Sequence, residues 1–134
     1  MKPAILMLAL LGIWPFSSGT EYHISGSRVV PAATAKLKVE QDKQNGNTKI
    51  DLKVEHLAKP SSLTPPANVY LVWVQPRGGA PEKEGALGVD DDLKGELKAV
   101  TVQKDFDLLV TAENSEAATC PSSVQIFQTH VTAT

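Results

Sequence analysis

The sequence predicts an all-β fold, a single antiparallel sandwich of about seven or eight strands. Three observations predict it. After the first nineteen residues no window of about 10–12 residues shows a helical period. Short β-prone runs are instead separated by Pro, Gly and Asn turn signals along the whole length. The run Asn68–Gln75 contains six consecutive apolar or aromatic residues, Val69 to Val74, between Pro65-Pro66 and Pro76. That is too short for an ordinary helix and reads as a strand covered on both faces.

The chain has 134 residues, the size of one domain able to bury a core. With 42% hydrophobic and 21% charged residues it is globular rather than disordered. The net charge of −2 carries no electrostatic footprint for nucleic acid or an anionic membrane.

Residues 1–19 form a leader by their pattern. Lys2 is a short positive region, Ala4–Phe16 is apolar, and Ser17-Ser18-Gly19 places small residues where a signal peptidase reads. The apolar stretch is about 13 residues, short of the roughly 20 that span a bilayer. The expectation is export, periplasmic or secreted, with a domain at 20–134 and no transmembrane span after cleavage. Retention of the leader as an anchor is the alternative. Without Lys2 there are 12 basic and 15 acidic side chains, a formal charge of −3. One cysteine, Cys120, cannot close an internal disulfide, so packing must hold the fold. Its surroundings lack the cations that activate a thiol, which favours an incidental side chain over an intermolecular disulfide or a reactive thiol.

In chain order, Glu21–Val30 is β-prone but broken by Gly26, which predicts an edge strand with a bulge. Ala35, Leu37 and Val39 then alternate with charged residues, as do Ile50, Leu52 and Val54, and Asn45-Gly46 lies between the two runs. Asn-Gly predicts a two-residue type I′ hairpin turn. In that register Val39 faces Leu52, Leu37 faces Val54 and Ala35 faces His56. The outer face then pairs Lys36 with Glu55 and Asp42 with Lys49, and sets Lys38 against Lys53 and Glu40 against Asp51. Leu57–Ala67 is a Pro/Ser-rich connection suited to changing sheets, whereas a barrel needs mostly tight hairpins. After the Tyr70–Trp73 strand, Pro76–Gly85 reads as an exposed loop and Gly85–Val89 as a short strand. Glu96–Val102, Phe106–Ala112 and Val124–Val131 complete the set. Tyr70, Trp73 and Phe106 are the expected structural core, with Trp73 and Phe106 between the sheets.

Signatures of catalysis are missing. Ser25-Gly26-Ser27 lacks the framing of a nucleophile elbow, and no phosphate loop or dinucleotide fingerprint is present. Asp90-Asp91-Asp92 departs from an EF-hand, with Lys94 in a ligand slot and Thr101 where the closing glutamate belongs. Glu82, Glu84 and Glu96 would need a cleft and raised pKa values for acid–base work. His56, His130 and His23 are the candidates for copper or zinc; no two share a ligand spacing, and His56 and His130 have inward parity. Arg77, Gly78, Gly79 and Glu82 mark the exposed loop as the expected interaction surface.

Tyr70-Leu71-Val72-Trp73-Val74, Gly78-Gly79-Ala80-Pro81, Gly85-Ala86-Leu87, Gly95, and Phe106 through Val110-Thr111-Ala112-Glu113 resemble the extracytoplasmic C-terminal domain of anti-sigma-K factors. The resemblance covers about half of the mature chain. The whole chain resembles uncharacterised exported β-sandwich proteins of soil bacteria. The resemblance implies an immunoglobulin-like sandwich. It does not imply sigma-factor regulation, because the cytoplasmic helical domain and transmembrane helix of those factors are replaced here by a leader and a hairpin. The expected function is a non-enzymatic envelope or secreted module, without cofactor, that contacts a protein or surface polymer. A periplasmic copper- or zinc-binding protein is the alternative.

Overall fold

The computed structural model describes residues 19–133. The leader expected over residues 1–19 therefore lies, Gly19 apart, outside the described residues. Eight strands follow in order: β1 (Thr20–Ser25), β2 (Thr34–Gln41), β3 (Thr48–Glu55), β4 (Val69–Pro76), β5 (Glu82–Leu87), β6 (Gly95–Thr101), β7 (Asp105–Glu113) and β8 (Gln125–Thr132). They form two antiparallel four-stranded sheets, β1-β2-β3-β6 and β5-β4-β7-β8. The chain changes sheets after β3, β5 and β6, and the order β2-β3-β6 against β5-β4-β7-β8 is immunoglobulin-like. The Pro-rich connection makes the first crossing. Its Leu57, Leu63 and Ala67 are buried in the main core, so it also plugs one end of the sandwich.

Period-two alternation accounts for the core. Ala35, Leu37 and Val39 of β2, Ile50, Leu52 and Val54 of β3, and Phe106, Leu108, Val110 and Ala112 of β7 all point inward. Tyr70, Val72 and Val74 of β4 lie beside the β7 set in the same sheet and face β2 and β3 across the core. The Tyr70 hydroxyl donates to the Ala58 carbonyl at 2.5 Å, and burial raises its pKa to about 12.

Trp73 is fully buried, but not between the sheets. With Leu71 and Leu109 it forms a second cluster on the outer face of the β5-β4-β7-β8 sheet, against Val69 and Ala118. The 114–124 loop folds over this cluster. Lys83 donates to the Glu116 carbonyl and, at 2.8 Å, to that of Ala118. The indole N–H donates to Thr111 Oγ1 at 2.9 Å, and the Thr111 hydroxyl donates to Glu113 Oε2 at 2.6 Å. The same carboxylate accepts the Ser122 N–H at 2.8 Å. A strand apolar on both faces needs a cover on each, and the second cover is this loop.

The hairpin register differs from the expected one by two residues. Leu37 pairs with Leu52, Val39 with Ile50 and Ala35 with Val54. Asn45 does not take the positive φ that a type I′ turn demands; only Gly46 does, at 75°. The loop closes instead through Asp42 N–H to the Asn47 carbonyl and Gly46 N–H to the Asp42 carbonyl, both 2.7 Å. Asp42 Oδ1 accepts the Gln44 N–H and Asn45 Oδ1 the Asn47 N–H, both at 2.9 Å. A two-residue shift keeps the apolar face inward but re-sorts the charges. Lys38 now faces Asp51 and Glu40 faces Lys49, replacing two like-charge oppositions, although Lys36 faces Lys53.

The β1–β2 ladder runs unbroken from Thr20↔Val39 to Ser25↔Thr34, so Gly26 is not a bulge but the first residue past an edge strand. Its N–H donates to the Ala33 carbonyl at 2.8 Å. A Cβ there would lie 2.1 Å from the Val30 carbonyl oxygen. Gly26→Ala is expected to cost about 1–3 kcal/mol in a denaturant titration, as overpacking against backbone does. An unchanged midpoint would refute that close approach.

Candidate functional site

One end of the sandwich gathers the start of β5, β7 and the ends of β4 and β8. Between β4 and β5 the chain turns through Pro76–Gly79, closed by Gly79 N–H to the Pro76 carbonyl at 3.1 Å. Gly78 has φ 73°, the conformation a glycine adopts without penalty. The Gln75 side chain steadies the turn by donating to the Gly79 carbonyl.

The ladder then sets the site's charges side by side. Gln75 faces Asp107, and Asp107 faces His130, all on the outer face of the sheet. His130 stands between two carboxylates, Nδ1 at 2.7 Å from Asp107 Oδ1 and Nε2 at 2.7 Å from Asp105 Oδ1. The second is an ionic contact rather than an aligned hydrogen bond. Arg77 Nε reaches Asp105 Oδ2 at 3.1 Å, and its backbone N–H extends the ladder to the Asp105 carbonyl. A groove of about 320 Å³ lies alongside, lined by Gln75, Arg77, Gly78, Phe106, Asp107 and His130. The hydrogen bond of His130 Nδ1 to the Asp107 carboxylate raises the His130 pKa above its ordinary value, and Asp105 adds to the effect. A resonance titration should place it above about 6.5 and bring it down in Asp107→Asn. A titration unmoved by that substitution would break the pairing.

The expected site residues divide as follows. Arg77, Gly78 and Gly79 belong to the loop as expected. Glu82 does not; it lies in β5, half-buried, and accepts from Thr101 Oγ1 at 3.2 Å and Gln103 Nε2 at 2.9 Å. The loop is thus shorter than Pro76–Gly85, because Glu82, Lys83 and Gly85 pair with β4. Asn45 and Gly46 lie in the β2–β3 loop, where the Gly46 carbonyl accepts from Lys104 at 2.8 Å.

The histidines are not brought together. His23 is on β1 and His56 just past β3, in the other sheet from His130. His56 is exposed with φ 57°, off the inward parity, because the strand ends at Glu55. His130 also faces outward. A bulge pairs Val110 with Phe127 but Thr111 with Gln125, so Ile126 and Phe127 both enter the core and parity inverts beyond them. Among the described residues no group of three His, Cys, Asp or Glu is placed to hold a metal ion. Asp91 instead pairs with Lys59 at 2.8 Å, and Asp90 Oδ1 accepts the N–H groups of Asp92 and Lys94. Cys120 is exposed and free. No helix among the described residues is long and apolar enough to cross a membrane.

Asp105 and Asp107 are the partners that sequence reasoning missed. Their signal was present: both take the outward parity of β7, beside its inward Phe106 and Leu108.

Comparison with protein-family models, curated proteins and solved structures finds no match.

Proposed function

We propose that the chain is an exported, non-enzymatic sandwich module that contacts a protein or surface polymer through the Arg77–His130 end. The observation that carries this reading is the Arg77–Asp105–His130–Asp107 network beside an open groove. Three of its four members lie within strands and Arg77 directly follows β4, so the polar groups are held before any partner arrives. Pre-organisation of that kind lowers the ordering cost of binding. Loops carried on a rigid sandwich are the usual place for such contacts. The leader pattern of residues 1–19 supports export.

Proximity labelling in the native envelope, with the full chain and an Arg77→Ala/His130→Ala variant, tests the proposal. The expected result is a labelled set that the variant loses while its thermal transition persists. Equal labelling by both chains would remove this end of the sandwich from consideration.

A further inference from the structure

The outer face of the β1-β2-β3-β6 sheet carries a second arrangement of charge. The register sets His23 opposite Lys36 and Lys36 opposite Lys53. Neighbouring strands lie about 4.8 Å apart, so three basic side chains stand in one row. Like charges opposed on adjacent strands cost stability, and the neighbouring rows avoid that cost. In one, Lys38 and Lys98 flank Asp51; in the next, Glu40 faces Lys49. Glu96 closes the row opposite Lys53, at its far end from His23. Among the described residues none of His23, Lys36 or Lys53 is in a salt bridge. The row borders a concavity of about 290 Å³ lined also by Ser25, Thr34 and Glu55.

We propose that this row is a binding site for an oxyanion, a carboxylate, phosphate or sulfate borne by an acidic envelope glycan. Two lysines whose Cα atoms lie about 5 Å apart can bring both ammonium groups onto one oxyanion through charge-assisted hydrogen bonds. The imidazole and the Ser25 and Thr34 hydroxyls supply further donors at its edge. Glu55, at the rim, opposes the anion and so provides a control of opposite sign. The site lies on the other sheet from the Arg77–His130 end and does not depend on it; only the envelope source of the glycan rests on the export reading.

The test is an amide chemical-shift titration of the mature chain with sodium phosphate and with polygalacturonate oligomers, at constant ionic strength. Saturable shifts centred on His23, Lys36 and Lys53 are expected. Lys36→Gln and Lys53→Gln should each weaken binding by about five- to tenfold, and Glu55→Gln should tighten it. Arg77→Ala should leave it unchanged. Tighter binding of the oligomer than of phosphate identifies the glycan as source, and equal affinity identifies the free ion; either outcome keeps the oxyanion site. Both lysines are exposed and mutually repulsive, so the variants should fold at least as stably as the parent. Shifts that scatter over the surface without saturating, or that survive both lysine substitutions, overturn the proposal.

Discussion

Trp73→Ala is expected to lower stability by about 3–5 kcal/mol, the range for truncating a buried aromatic. The loss should reach beyond the cavity. The indole N–H is the donor at one end of a chain through Thr111 to Glu113, and Glu113 in turn accepts the Ser122 N–H. Without the indole, the 114–124 loop keeps its Glu113 anchor but loses the apolar surface it covers. Hydrogen exchange should therefore quicken in that loop before it does in β2 or β3. Trp73→Phe retains most of the buried area and removes only the donor to the fully buried Thr111, so about 1–2 kcal/mol is expected. The sequence holds two tryptophans, Trp14 and Trp73, so a chain begun at residue 20 reports Trp73 alone. Its emission should be blue-shifted and protected from iodide. Emission typical of a solvated indole, or a loss below 1 kcal/mol in Trp73→Ala, would show that the second cluster is not closed.

Raising the pH from about 5 to about 8 is expected to cost on the order of 3 kcal/mol of stability, after discounting for solvent screening. Two carboxyls are responsible. Glu84 is half-buried on β5, and burial followed by repulsion from Glu82 raises its pKa to about 7. Asp51 is 4% exposed on β3. Burial raises its pKa to about 6, the hydrogen bond with Glu96 adds to the rise, and Lys53 and Lys98 oppose it. Both groups hold a proton in the folded chain where the unfolded chain has released it. The folded state thus binds more protons across this window, and stability falls as pH rises through the two folded values. The raised pKa of His130 has the same sign and extends the decline upward. Thermal unfolding at a series of pH values should show the decline in the parent chain. Glu84→Gln and Asp51→Asn should each flatten it, and should stabilise the protein at the alkaline end. A transition temperature that climbs steadily over this range would sink the assignment.

Several sequence expectations hold in the fold while their details shift. The strands of the 35–54 hairpin, the β7 alternation and the sheet-changing connection at Leu57–Ala67 are where the residue pattern puts them. Alternation is a local property that any partner strand preserves, so the inward set survives a register change of two. The turn did not survive it. Asx hydrogen bonds from Asp42 and Asn45 offered the backbone a four-residue loop, and the charge pairing across β2 and β3 is better in that register. At the candidate site, Arg77 and its glycines were legible because Pro and Gly announce an exposed turn. The outward parity of Asp105 and Asp107 was legible too, but not their proximity to His130, which follows from strand pairing.

From the residues alone one can tell that the chain makes two sheets, which side of each alternating strand is wet, and that Tyr70, Trp73 and Phe106 are buried. Pairing decided the rest. A continuous apolar run has no preferred side, so only the position of the 114–124 loop assigns Trp73 to the outer face. A single extra residue at Ile126 inverts every side chain after it, and no local pattern marks that residue in advance. That inversion carries His130 from the core side to Asp105 and Asp107, and so creates the site.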